Sequence, residues 1–228
     1  MLARDQVLSK MITILTKSSM RPVLARSAGV SLALAIGAAV VPAHAAQPVV
    51  VAVDGTLCDI TKTLAAGAAS VTCLIPPGGD PHSYRLKPSD RSQIAKSDLV
   101  LHIGFGLTPS ARRLQSPGMV VAVGEVALPS YGGSDPHVWH DPANSAAMVR
   151  VISRSLAPVL EASDRAALQQ RASRAVAVFQ ALQSWEAKQF SSLPSAQRVL
   201  VTDHRTYSHL ANRFGLVEIA MLDSHTTG

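Results

Sequence analysis

Three histidines in this chain stand where the neighbouring residues fix the backbone, and together they have the makings of a site for a divalent metal ion. His82 lies in Pro76-Pro77-Gly78-Gly79-Asp80-Pro81-His82-Ser83-Tyr84, a run whose prolines and glycines set a loop at the end of an apolar stretch. His137 lies in a second loop of the same kind, Asp135-Pro136-His137-Val138-Trp139-His140-Asp141-Pro142, and His204 comes just past the apolar run Val199-Leu200-Val201. Neutral imidazole is the commonest side-chain ligand of zinc, and three protein ligands leave a fourth position through which the ion can exchange. Imidazole favours zinc, whereas carboxylate and water favour manganese, so Zn2+ is expected ahead of Mn2+. Taken alone, His82 has a plainer reading as a turn histidine exposed to water.

Two further residues bear on the site. His140 competes with His137, but residues 137–140 precede the helix start at Asp141-Pro142, so the pair need not share one face. His140 is therefore placed outside the ligand set, as a supporting or solvated residue that could also substitute. Asp203 could accept a hydrogen bond from an imidazole, and a surface or helix-capping role suits it equally. His102 and His209 fall in a strand and a helix and read as structural. Asp223 and His225 match no ligand motif.

The elements that must carry these loops follow from periodicity. Residues 49–53 form an unbroken apolar run, as in a buried parallel strand. Residues 56–66 show helical spacing at Leu57, Ile60 and Leu64, with Gly67 as the stop. A second strand, residues 71–75, runs into the His82 loop. A short helix then extends through Ala95, a third strand spans residues 99–103, residues 107–114 read as a helix, and a fourth strand spans residues 119–123. Asp141-Pro142 opens a helix to about Leu160. Ser163-Asp164 caps a longer one, whose stripe runs through Leu168, Ala172, Ala175, Phe179 and Leu182 towards Gln189 and Phe190. Roughly 27 helical residues would reach ~40 Å. After Pro194 come a strand from Arg198, a helix over residues 206–214 closed by Gly215, and a strand over residues 216–221. The class is α/β, and one helix with two strands leaves a sheet face of the last part uncovered.

The residues from Ile75 to Leu107, the Asp135-Pro136-His137-Val138-Trp139 segment, and Val201-Thr202-Asp203-His204 with the later Arg213-Phe214-Gly215-Leu216 resemble the periplasmic zinc- and manganese-binding proteins of ABC importers. The resemblance runs from about Val49 to the last residue. It implies a two-lobed metal-binding fold in which small parallel sheets are linked by a long helix. On that pattern residues 46–143 are the N-terminal lobe, residues 144–193 the connecting helices, and residues 194–228 a C-terminal lobe that is incomplete. It further implies His82, His137 and His204 as metal ligands, with histidine at position 204 marking zinc binders. The fourth family ligand, a carboxylate or water, has no counterpart that can be assigned here, and the acidic histidine-rich loop of many zinc relatives is missing before His137. The implied role is capture of Zn2+ for an ABC permease in the inner membrane, by a monomer without enzymatic activity.

Composition agrees with an exported globular protein. The chain has 228 residues, of which 47% are hydrophobic and 4% aromatic, too apolar for disorder. Arg21 and Arg26 precede an apolar run over residues 29–41, and Ala43-His44-Ala45 supplies a small-residue cleavage site, so residues 1–45 read as a signal peptide with Met20 as an alternative initiator. The run is too short for a membrane span. No cysteine stands directly after the cleavage site to accept a lipid, and the mature chain is expected free in the periplasm, without membrane insertion. Removing the leader takes Arg4, Lys10, Lys17, Arg21, Arg26 and Asp5 with it, which lowers the net charge from +6 to +2. With no basic stripe, nucleic-acid binding is excluded.

Cys58 and Cys73 both lie in the exported part, where a disulfide could tie the first helix to the second strand; two buried thiols are the alternative. Neither belongs to a C-x-x-C pair, which argues against redox or zinc-finger chemistry. Three rival functions remain to be weighed: a manganese-binding importer component, a metal-dependent adhesin on the same fold, and a zinc hydrolase. The hydrolase ranks last because no H-E-x-x-H or comparable carboxylate accompanies the histidines.

Overall fold

The computed structural model of the protein describes residues 46–133 and 135–222. The leader, Asp223 and His225 lie outside the described residues. Four short strands, Val49–Ala52 (β1), Ser70–Cys73 (β2), Leu99–His102 (β3) and Met119–Ala122 (β4), pair in parallel in the order β2-β1-β3-β4. The continuous apolar run at β1 follows from its central position, since successive side chains enter different cores. Val50 and Ala52 join Leu99, Leu101 and Ile103 on one face, while Val51 and Val53 join Leu74, Ile75, Ile94 and Val100 on the other. A strand buried on both faces has no solvent side to mark with polar residues.

Helices cover both faces. Gly55–Ala65 (α1), Pro142–Leu156 (α4) and Ala162–Ser191 (α5) bury Leu57, Leu64, Met148, Ile152, Leu156 and Leu168 against the first face. Pro88–Ile94 (α2) brings Ile94 to the second. A short helix, Val123–Ala127 (α3), follows β4 directly. Ordering of α1 begins at Asp54, whose carboxylate accepts the Leu57 N–H at 3.0 Å. The far end of α1 is held by α5, because Arg171 Nε donates to the Leu64 carbonyl at 2.6 Å. Cys58 on α1 and Cys73 on β2 are joined by a disulfide, with Cα atoms 5.6 Å apart.

Several expected elements differ from those observed. Residues 107–114 hold a single 3₁₀ turn, Pro109–Ala111, in place of a helix. Pro109 and Pro117 restrict the residues before them, and only Leu107, Ala111 and Leu114 are available to pack there. The stop after α1 is Ala66, which itself takes the left-handed conformation at φ 47° ahead of Gly67. Helix α4 ends at Leu156, before the expected Leu160, which is buried in the following turn. Helix α5 starts at Ala162, with Glu161 in the capping position and no side-chain cap, so Ser163-Asp164 lies inside its first turn. Its apolar stripe buries only Leu168 and Ala172 fully; Ala175 and Phe179 pack at the edge of the core, and Leu182 is 37% exposed. At 30 residues α5 extends for ~45 Å.

Beyond α5, strands Val199–His204 (β5) and Val217–Leu222 (β6) form a parallel pair linked by helix Ser208–Phe214 (α6). One face of this pair receives α6. The other presents Val199, Val201, Val217, Ile219 and Met221, each about half or more exposed, so the uncovered sheet face expected from the element count is present. Phe190 near the end of α5 meets Phe214 at a ring-centre distance of 5.3 Å. Arg213 on α6 forms an ion pair with Asp141, the cap of α4, at 2.7 Å.

Asp54 carries a testable cost. Burial, only partly offset by hydrogen bonds to nearby backbone, raises its carboxyl to about 6 from 3.8. A raised acid binds its proton more tightly folded than unfolded, so its ionisation lowers stability as pH climbs from about 4 to about 6, and the loss is complete above that. Asp54→Asn keeps the cap and should stabilise the fold by roughly 1–3 kcal/mol at pH 7 and by little at pH 4. Urea denaturation at the two pH values checks this. An equal effect at both would show that charge burial is not the cause.

Candidate metal centre

The loop that carries His82 leaves the carboxyl end of β2, at the sheet edge where open α/β sheets bind ligands. Gly78 takes φ 78°, a left-handed conformation open to glycine at little cost. The Gly79 N–H closes a turn onto the Pro76 carbonyl at 2.9 Å. Asp80 Oδ1 accepts the His82 backbone N–H at 2.9 Å, which fixes the backbone that bears the ring. Downstream, the Tyr84 hydroxyl donates to Asp90 Oδ2 at 2.8 Å, and Ser110 Oγ donates to the Tyr84 carbonyl at 2.7 Å. Burial, reinforced by the Asp90 carboxylate, raises the Tyr84 phenol to about 12, so it stays protonated as the donor.

The His137 loop repeats the device. Asp135 Oδ1 accepts the His137 backbone N–H at 2.9 Å and also lies 2.7 Å from His137 Nδ1. A carboxylate only accepts, so Nδ1 carries the ring proton and Nε2 presents its lone pair. Burial opposes ionisation of Asp135, yet the hydrogen bonds from His137 and Ser208 outweigh it and hold the carboxyl below its usual range. Its second oxygen accepts the Ser208 N–H, at the start of α6, at 3.3 Å. The same helix inserts the buried ring of His209 beneath the loop, where Nε2 is 3.1 Å from the Asp135 carbonyl and Nδ1 is 3.3 Å from Asn144 Nδ2.

His204 ends β5, and Asp203 Oδ1 stands 3.0 Å from its Nδ1. Asp203 is largely exposed. The loop after His204 is organised by Glu218 of β6, whose carboxylate accepts the N–H groups of Thr206 and Tyr207 at 2.8 and 2.9 Å and the Ser208 hydroxyl at 3.0 Å. Burial pushes Glu218 up, but these donors hold it below its usual range.

These three loops bring His82, His137 and His204 together. One ring nitrogen from each lies within 4.8 Å of the other two, and His82 Nε2 is 3.0 Å from His137 Nε2. Ligands of a tetrahedral zinc at ~2.0–2.1 Å stand ~3.3 Å apart, so the set fits one shared ion after shifts of at most ~1.5 Å. His140 is outside this convergence. Its ring lies 4.2 Å from Tyr207 and 5.4 Å from Trp139, and burial, with the neighbouring His137 second, lowers it to about 4. Trp139 forms a wall, 5.4 Å from the His137 ring. Sequence reasoning assigned no role to Asp135 or Glu218. An Asp two residues before each of His82 and His137 was the available signal for Asp135; for Glu218 it was one acid at an inward position of an apolar strand.

Small parallel sheets joined by a long helix, with three imidazoles converging between them, define a two-lobed binding protein of the metal-binding type. In solved structures the same fold is seen in the periplasmic zinc-binding protein TroA of Treponema pallidum, at a TM-score of 0.71 and 27% identity, over 76% of this chain and 66% of that one. Residues 50–227 match the family described as zinc-uptake complex component A periplasmic, ZnuA, and the chain belongs to that family. The manganese-binding lipoprotein MntA of Halalkalibacterium halodurans is 31% identical over 75% of this chain and 59% of its own length. For the zinc-binding protein TroA of Treponema pallidum the figures are 30%, 74% and 58%. The chain thus spans less than two thirds of the length of these curated relatives.

Proposed function

We propose that this chain is the extracytoplasmic solute-binding component of a high-affinity ABC importer, capturing Zn2+ with His82, His137 and His204 and passing it to the membrane permease. The observation that carries the reading is the convergence of three imidazole nitrogens from separate loops. Asp135 orients the His137 ring, and Asp203 stands in the same relation to His204. The three imidazoles among the described residues fill three of four tetrahedral positions, and the fourth suits water or an oxygen donor, as an exchangeable site requires. Family membership supports metal delivery over hydrolysis, and among the described residues the carboxylates beside the imidazoles, Asp135 and Asp203, are hydrogen-bonded to the rings themselves. Among the described residues no helix is long and apolar enough to cross a membrane.

A manganese role is the second reading, because the relatives bear names of both metals. The donor set supports zinc over manganese, since three imidazoles suit zinc and leave manganese short of oxygen ligands. Parallel isothermal titrations of the metal-free chain should show Zn2+ binding at least ~100-fold more tightly than Mn2+. Equal affinities, or tighter Mn2+, would sink the zinc assignment. Growth rescue of an importer-deficient strain under zinc starvation separates import from adhesion.

A further inference from the structure

We propose that the seam between α4 and α5 is a second ligand site, for a phosphate-type oxyanion, sharing no residue with the imidazole cluster. A hollow of about 380 Å³ runs along this seam. Its floor is Ser153 and Ala172, 3% and 5% exposed. Arg150 and Arg154, one turn apart on α4, stand over one side, and Gln169 and Ser173, one turn apart on α5, stand over the other. Arg174 lines an adjoining hollow that shares Gln169 and Ser173. No acidic side chain lines either hollow.

Two independent observations point to a missing acceptor. The first is Ser153, whose buried Oγ makes no hydrogen bond to any described residue. A serine inside a helix ordinarily returns its proton to the carbonyl four residues back, as Ser155 does to Val151 at 3.0 Å in the same helix. The second is the arginines. Among the described residues Arg150 and Arg154 are exposed and enter no ion pair, as is true of other exposed arginines such as Arg85 and Arg113, but these two flank the hollow whose floor is Ser153. Proximity to the end of α4 accounts for Arg154, which lies in the last turn. It does not account for Arg150, a full turn further in, or for the Ser153 hydroxyl. Guanidinium forks, two hydroxyls and an amide with no competing carboxylate are donors matched to the several oxygens of a phosphate. The same chemistry is offered by free phosphate and by a phospholipid headgroup.

Isothermal titration of inorganic phosphate into the full metal-free chain, at constant ionic strength, should show saturable binding. Arg150→Gln with Arg154→Gln should weaken it about tenfold or more and Ser153→Ala by a smaller factor, while circular dichroism and zinc titration stay as in the wild type. Absence of saturable binding in the wild type, or unchanged affinity in both variants, overturns the site. Should the double variant lose its dichroism signal, Arg150→Gln alone and Ser153→Ala carry the comparison. Sedimentation with phosphatidylglycerol vesicles but not phosphatidylcholine, lost in the double variant and reversed by inorganic phosphate, assigns the lipid headgroup as the source. Phosphate binding without vesicle binding assigns the free anion. Vesicle binding that the double variant retains is general surface charge and counts against the site.

Discussion

His137→Ala should lower zinc affinity by more than ~100-fold, the largest single effect expected at the proposed site. His137 is the most buried of the three imidazoles and is the one whose proton is fixed by a buried carboxylate. Alanine removes both the donor nitrogen and the ring that Trp139 and His82 pack against. Asp135→Asn supplies a graded comparison, because the nitrogen stays while the group that orients it is weakened; a loss of ~10–100-fold is expected. Asp203→Asn should do less, since Asp203 is exposed and solvent competes for its oxygens. Competition titration against a chromophoric chelator gives all three values. Wild-type affinity in His137→Ala would remove that ring from the site, and an Asp203 effect larger than the Asp135 effect would show that burial does not set the order.

Reducing the Cys58–Cys73 disulfide should cost about 3 kcal/mol. The bridge closes a loop with a sequence separation of 15 between α1 and β2, and a loop of that length loses about that much unfolded-state freedom when cross-linked. For a domain of this size the melting temperature should fall by roughly 6–12 °C in reductant. Cys58→Ser/Cys73→Ser should reproduce the shift without reductant. A melting curve indifferent to reductant would mean that the bridge adds nothing to stability, and mass spectrometry with and without reductant would then show whether it forms.

How much of this was legible beforehand depended on what kind of signal each residue leaves. Strands β1 and β3 could be read because burial on both faces forces an unbroken apolar run, and Val50 to Val53 and Leu99 to Leu101 obey it. The loops of His82 and His137 could be read because proline and glycine restrict φ locally, whatever the rest of the chain does. The segment around Pro109 misled because its few apolar residues satisfy helical spacing over one turn, and one turn is what forms. The ends of α4 and α5 were uncertain because tertiary packing decides them; Glu161 occupies a capping position without being a capping residue. The long-range contacts that brace the imidazole loops were the least visible. Asp135 and Glu218 act across 73 and 12 residues of chain to reach Ser208 and Thr206, and no local pattern encodes such distances.

Asp135 holds a ring with one oxygen and a helix of the other lobe with its second. The two halves of the molecule therefore share a group at the site: one carboxylate contacts both the His137 ring and the start of α6. A substitution at Asp135 would disturb the imidazole and the start of α6 together. On the proposed role, any displacement of Ser208 would reach the ion's ligand through Asp135 without a contact at the ion itself.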